Sequence, residues 1–353
     1  MPSRHAKPAS VVLSLLYMCI AYLVPIAVSA ADDASDPPRV FLHDPVRLTE
    51  LREKAIAADP GFAEALKQLR KEADAALKLE PQSVTFDELV PPSGDKHDFM
   101  NVGPYWWPDP NKPDGLPYIR RDGEVNPEYR NYDNIPMDRM QEAVDTLALA
   151  YYLTGHEPYA EHASLLLRTW FLDEATRMNP NLNYGQAIPG RCEGRGIGII
   201  ETPRLTALVD SVGLLAGSTH WTDADQKGMV AWFSDYLTWL RESKNGRDED
   251  RTANNHATWY DMQVVLLALF VDRRDIAREV ISVVPNRRLN TQIEPDGRQP
   301  HELARTKAFS YSTMNLRGFF QLAQLAEHVD IDLWRSMSDD GRGSIRAALD
   351  CMI

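Results

Sequence analysis

Cysteine is scarce. The 353-residue chain has three, and Cys19 lies in an apolar run at the N-terminus. The other two, Cys192 and Cys351, are too few for a disulfide-built scaffold, and no metal-type cysteine spacing exists. Basic charge is also in deficit. Lysine and arginine number 38 against 51 acidic residues. Without Arg4 and Lys7 the balance is 36 against 51, a net −15. A nucleic-acid binder shows the opposite balance. An anionic ligand would need a local basic cleft in an acidic surface. No sustained strand-type alternation occurs. There is no zinc-protease motif, nucleophile elbow or EF-hand loop. Gly194, Gly196 and Gly198 give the glycine density of a phosphate loop, but neither its spacing nor its Lys-Ser/Thr ending.

What is present begins with an export pattern. Arg4, His5 and Lys7 precede an apolar run from Val11 to Val28, and Val28-Ser29-Ala30 supplies small residues for cleavage after Ala30. The run, about 18 residues, is just long enough to span a bilayer. The small-residue ending and Pro25 favour a cleaved signal over an anchor. No stable membrane anchor is then expected after Ala30, and the periplasm, or the medium, is the expected destination. Residues 31–40 read as a linker and 41–353 as the folded unit.

Helical spacing dominates from Val46 onward. Leu48, Leu51, Ala55 and Ile56 recur on one face, and Phe62 to Leu79 continues it. Ser83 to Pro136 reads instead as a long ordered loop, too rich in tyrosine and tryptophan for a solvated tail. Beyond it, one helix stops at Gly155 and the next, opening near Pro158, runs to about Arg177. Thr222 with Asp225 suggests a capping box. Further helices are expected over Leu205–Leu215, His256–Phe270, Asp275–Val284, Tyr311–His328, Ile331–Met337 and from Gly343. Antiparallel pairs with short turns predict an all-α fold, an α/α toroid, here an incomplete barrel of helical hairpins. The last helix runs to Ile353 without a cap, which suggests truncation or a missing hairpin.

Four groups could carry chemistry. Asn254, Asn255 and His256 open a helix, where amides, imidazole and helix dipole suit a carboxylate; a plain N-cap with a surface histidine fits the spacing equally. Arg305 near Tyr311 would favour phenolate and make Tyr311 a proton acceptor, unless Tyr311 is simply a core residue. Tyr105, Trp106, Trp107, Tyr118 and Arg120 form an aromatic and cationic loop able to stack on sugars, or else to anchor the loop. Gln186, Arg195 and Glu201 lie in the glycine-rich stretch, consistent with close approach to a cleft.

These segments together resemble the alginate lyase superfamily, closest to polysaccharide lyase family 38, which acts on alginate or glucuronan. The resemblance spans Lys96 to Trp334. It rests on Tyr105-Trp106-Trp107-Pro108-Asp109-Pro110 with Gly115-Leu116-Pro117-Tyr118, on Gly194 to Gly198, on Asn254-Asn255-His256-Ala257-Thr258-Trp259-Tyr260-Asp261, and on Arg305 with Tyr311. It implies β-elimination on a uronic-acid polymer of mannuronate, guluronate or glucuronate, with no cofactor and no metal. By matching motif, Asn255, His256 and Arg305 would neutralise the carboxylate and Tyr311 would act as acid and base, with Trp259 among the substrate contacts. The competing expectations are a glycoside hydrolase on the same toroid, since a carboxylate dyad need not be local in sequence, and a non-catalytic sugar-binding protein.

Overall fold

The computed structural model describes residues 37–337, 341 and 343–353. The expected signal, residues 1–30, lies outside them. Among the described residues no helix is long and apolar enough to cross a membrane.

Helices account for most of the described chain. They are α1 (Pro45–Ile56), α2 (Ala63–Ala76), α3 (Asn134–Thr154), α4 (Glu157–Leu167), α5 (Pro203–Leu214), α6 (Asp223–Glu242), α7 (Lys244–Asp250), α8 (Asn255–Phe270), α9 (Arg274–Val284), α10 (Ala308–Glu327) and α11 (Ile345–Met352). Successive helices pack on one another: α3 on α4, α3 on α5, α5 on α8, and α8 on both α9 and α10. The short connectors make neighbours antiparallel, and the assembly is the α/α toroid expected from the helical pattern.

Local chemistry sets the ends of these elements. Gly155, with φ of 66°, closes α3 in the left-handed region. The capping box forms as read: Thr222 Oγ1 accepts from the Asp225 amide, and the Asp225 carboxylate accepts from the Thr222 amide. Arg168 then clamps Asp225 with two bonds of 2.7 and 2.6 Å.

Helix α8 is almost wholly buried and has no exposed polar face, as a helix enclosed by neighbours must be. It is held at its far end from a distance. Arg39 donates to the carbonyls of Leu269 and Phe270, at 3.2 and 3.0 Å. Beside it, the buried Asp210 of α5 accepts from the amides of Phe41, Leu42 and His43 and from the His43 ring.

Two expectations need correction, and one stretch given no element from sequence is helical. The helix opening near Pro158 ends at Leu167 and becomes a wide turn over Arg168–Leu172, because Asp173 N–H reaches back to Arg168 and its own backbone is extended. Ile331–Met337 is not helical. Asp330 adopts φ of 61°, and the Asp332 carboxylate and carbonyl take up Arg335 N–H and Ser336 Oγ in a turn. The polar stretch before Asn254 is helical, as α7, with Ser243 Oγ accepting from Gly246 N–H.

The Ser83–Pro136 loop is ordered and holds short strands. Strand β1 (Met100–Val102) pairs in parallel with β4 (Tyr184–Ala187), and β2 (Trp106–Trp107) pairs antiparallel with β3 (Ile119–Arg120), setting Trp106 opposite Arg120.

Candidate active site

Tyr311 lies in the first turn of α10, and Arg305 follows a single helical turn at Pro300–Leu303. Arg305 Nη2 donates to the Tyr311 hydroxyl at 2.8 Å, and its guanidinium carbon lies 3.9 Å from the ring centroid. The same guanidinium donates to Asp122 at 2.8 and 3.3 Å. Arg120 and Thr306 Oγ1 also donate to Asp122, at 2.6 and 3.0 Å. The hydroxyls of Tyr105 and Tyr311 are 2.7 Å apart.

This geometry overturns the expected phenolate. The Tyr311 hydroxyl is held well above its ordinary range, first by burial and then by its bond with Tyr105; Arg305 only partly offsets these. Asp122, bonded to the same guanidinium, adds a smaller upward push. The hydrogen bond from Arg305 holds Asp122 well below the usual carboxylate range.

Asn255 and His256 open α8. Asn254 occupies the N-cap position, but its side chain makes no capping bond. The cap comes instead from Glu302, whose two oxygens accept from Asn255 N–H and Asn255 Nδ2, each at 2.7 Å. A protein carboxylate therefore meets the positive helix end, where an incoming one was expected. Burial pushes the Glu302 carboxyl up; the two Asn255 donors and the charges of His256 and Arg305 oppose that shift. Glu302 bonds Asn255 through its carboxylate and accepts from the Arg305 amide at 3.0 Å through its carbonyl. His256 Nδ1 lies 2.6 Å from Glu249 Oε1.

Around Gln186 a third set forms. Its backbone has φ of 48°. Its carbonyl and Oε1 accept from Arg195, both at 2.9 Å, and its Nε2 donates to Glu201 at 2.6 Å. Tyr129 donates to the other Glu201 oxygen at 2.6 Å. Burial raises the Glu201 carboxyl, and the Tyr129 and Gln186 donors partly offset it. Backbone contact explains the glycines. A Cβ on Gly198 would lie 2.6 Å from the Gly185 carbonyl, and one on Gly194 would lie 2.0 Å from Asn183 O.

The aromatic loop is less bare than expected. Arg191 and Arg195 sit over the Trp106 ring at 5.2 and 5.8 Å, and Arg121 over Trp107 at 5.0 Å. Trp107 Nε1 donates to Glu124 O. Tyr118 donates to Glu128 at 2.8 Å, and its hydroxyl is pushed up to about 12, first by burial and then by that bond. Trp259 does not belong to the cleft. It is 6% exposed in the core, with Gly318 of α10 against its indole. Gln186, 5% exposed and fully engaged, braces Arg195 and Glu201.

The structure therefore brings Tyr105, Arg120, Arg305 and Tyr311 into one bonded set, and Gln186, Arg195 and Glu201 into another. Asp122, Glu249 and Glu302 were given no role from sequence, because their partners lie on other elements. The nearest signal was Glu302, three residues before Arg305. Among the described residues no group of His, Cys, Asp or Glu is arranged to hold a metal ion.

A family model described as alginate lyase matches residues 83–353. An alginate lyase from Bacteroides ovatus is 44% identical, over 89% of this chain and 82% of its own, with a TM-score of 0.86. Alginate lyase A1-III from Sphingomonas species A1 is similar in fold at 18% identity, over 82% of this chain and 75% of its own, with a TM-score of 0.52. A histidine-to-alanine variant of that enzyme, complexed with tetrasaccharide, gives 17% identity, the same coverage and a TM-score of 0.54. No curated protein matches.

Proposed function

The chain belongs to the alginate lyase family and is a polysaccharide lyase, and we propose that it cleaves its uronate polymer by β-elimination through Asn255, His256, Arg305 and Tyr311. The observation that carries this reading is the Arg305–Tyr311 pair, joined to Asn255 by Glu302, whose carboxylate accepts from Asn255 and whose carbonyl accepts from the Arg305 amide; His256 follows Asn255 in the chain. Of the groups assigned to sugar stacking and anion pairing, Tyr105 bonds Tyr311 and Arg120 shares Asp122 with Arg305; Trp106, Trp107, Tyr118 and Arg195 are assigned by residue type. Asn254 flanks the α8 end.

The chemistry accounts for each residue type. The C5 proton, alpha to the uronate carboxylate, is weakly acidic. Asn255 Nδ2 gives one hydrogen to Glu302; its second hydrogen, with donors from Arg305 and His256, stabilises the negative charge that develops on the carboxylate as C5 loses its proton. The electron pair left on C5 forms the C4–C5 double bond, and the C4–oxygen bond to the neighbouring sugar breaks. Tyr311 removes the C5 proton where that proton shares a face with the leaving oxygen, and then returns a proton to that oxygen. Where the faces are opposite, as in guluronate, His256 removes the proton and Tyr311 supplies one to the leaving group. Tyr311 carries its proton at rest, so it is an acid from the start; its role as base needs that proton lost first.

The substrate is alginate, with mannuronate and guluronate blocks as its units and glucuronan as the related alternative. Residues 41–353 would form the catalytic unit, acting in the periplasm after cleavage near Ala30. Incubation with polymannuronate, polyguluronate and glucuronan, followed by ultraviolet absorbance, tests the reaction. A new absorbance from the C4–C5 double bond is expected. Release of reducing ends without it would point to hydrolysis and sink the elimination.

A further inference from the structure

His256 has a partner that the elimination does not itself use. Glu249, on α7, is 1% exposed, and its Oε1 lies 2.6 Å from His256 Nδ1. Its other oxygen, Oε2, is buried with no hydrogen-bond partner among the described residues. A carboxylate only accepts, so this contact keeps a proton on Nδ1 and leaves Nε2 as the imidazole's other polar atom.

The frame around this pair is rigid. The residue after Glu249, Asp250, is gripped by Arg287 and Arg288. Arg288 continues to Asp261 of α8 through two bonds of 2.7 and 2.8 Å. The helix that carries Glu249 is thereby bolted to the helix that carries His256. On its other side α7 rests on Gly196, where a Cβ would lie 2.6 Å from Asn245 O and 2.9 Å from Glu249 N. Arg195, the residue before that glycine, also feels the charge of Glu249.

We propose that Glu249 is a positioning residue for the elimination: it fixes the His256 ring and its tautomer so that Nε2 is the atom presented to the sugar. This inference rests on the proposed role of His256. Glutamine is the discriminating replacement, because its side chain either accepts from Nδ1–H or donates to a bare Nδ1, and so no longer dictates the tautomer.

The test uses the full chain and two readouts. In ¹H–¹⁵N spectra of the imidazoles, with His256 assigned by its loss in His256→Ala, the neutral ring should carry its proton on Nδ1. In Glu249→Gln, the two nitrogens should average or exchange roles. Turnover on alginate should fall about tenfold to a hundredfold, the range seen when the outer partner of a functional histidine is removed, with little change in KM. Glu249→Gln/His256→Ala should be no slower than His256→Ala, since Glu249 acts through that ring. An unchanged tautomer in Glu249→Gln, or a double variant slower than His256→Ala, overturns the proposal. If Glu249→Gln does not fold, Glu249→Asp takes its place; it should keep Nδ1–H with reduced turnover, and a lost Nδ1 proton there also overturns the proposal. Absence of unsaturated product from the unaltered protein would fault the elimination instead, while the spectra still report on Glu249.

Discussion

Arg305 divides one guanidinium between Asp122 and the Tyr311 hydroxyl, at 2.8 Å to each. Asp122 thereby offsets part of the positive charge that the phenol experiences. Removing the charge of Asp122 should lower the Tyr311 pKa, since Asp122 is among the groups that raise it. Asp122→Asn keeps an acceptor for Arg305 and removes only the charge. On polymannuronate, where Tyr311 acts as base, the rising limb of kcat/KM should move to lower pH. A limb that stays put or moves to higher pH would count against Tyr311 as the base.

Gly198 touches Gly185 backbone to backbone, and Gly185 belongs to β4 with Gln186. A methyl at 2.6 Å from a carbonyl cannot be relieved by turning a side chain. Gly198→Ala should destabilise by about 1–3 kcal/mol, the usual range for overpacking. It should also lower kcat/KM, because Gln186 braces Arg195 and Glu201. Urea unfolding with product absorbance checks both, and a variant matching the parent in each would show that β4 has room to move.

Asp133 supplies a pH-dependent contribution. Burial is the main cause that lifts its carboxyl to about 8; the Met100 amide opposes this and nearby Asp87 adds to it. A folded-state pKa above the unfolded value means that the folded protein binds the extra proton. Its contribution is therefore complete below about pH 4 and is lost as pH rises through about 8. Asp133→Asn is neutral throughout, so its stability relative to the parent should climb across that window. Urea midpoints measured from pH 4 to 8 would show this, and parallel curves would refute it.

Much of the frame was legible in the chain because its signals are local. Gly155 ends α3 through its own backbone, and Thr222 with Asp225 builds a cap within four residues. The residues proposed to act were legible as types, since Asn255-His256 and Arg305 with Tyr311 sit in short motifs. Their electrostatics were not. The Tyr311 shift comes first from burial, then from Tyr105 and, least, Asp122, 206 and 189 positions away, which no spacing reveals. Trp259 misled for a related reason. An aromatic next to a functional motif reads the same whether its ring faces a cleft or, as here, the glycine of a neighbouring helix.

The strap over residues 39–43 bears on where the chain can be shortened. The family match begins at residue 83, yet Arg39 closes the carbonyl end of α8 and three successive amides, with the His43 ring, satisfy Asp210. Trimming to the matched region would strip a helix terminus and a buried carboxylate of their partners together. Since α8 carries His256 at its opposite end, expression boundaries drawn from family similarity alone would loosen that helix from behind.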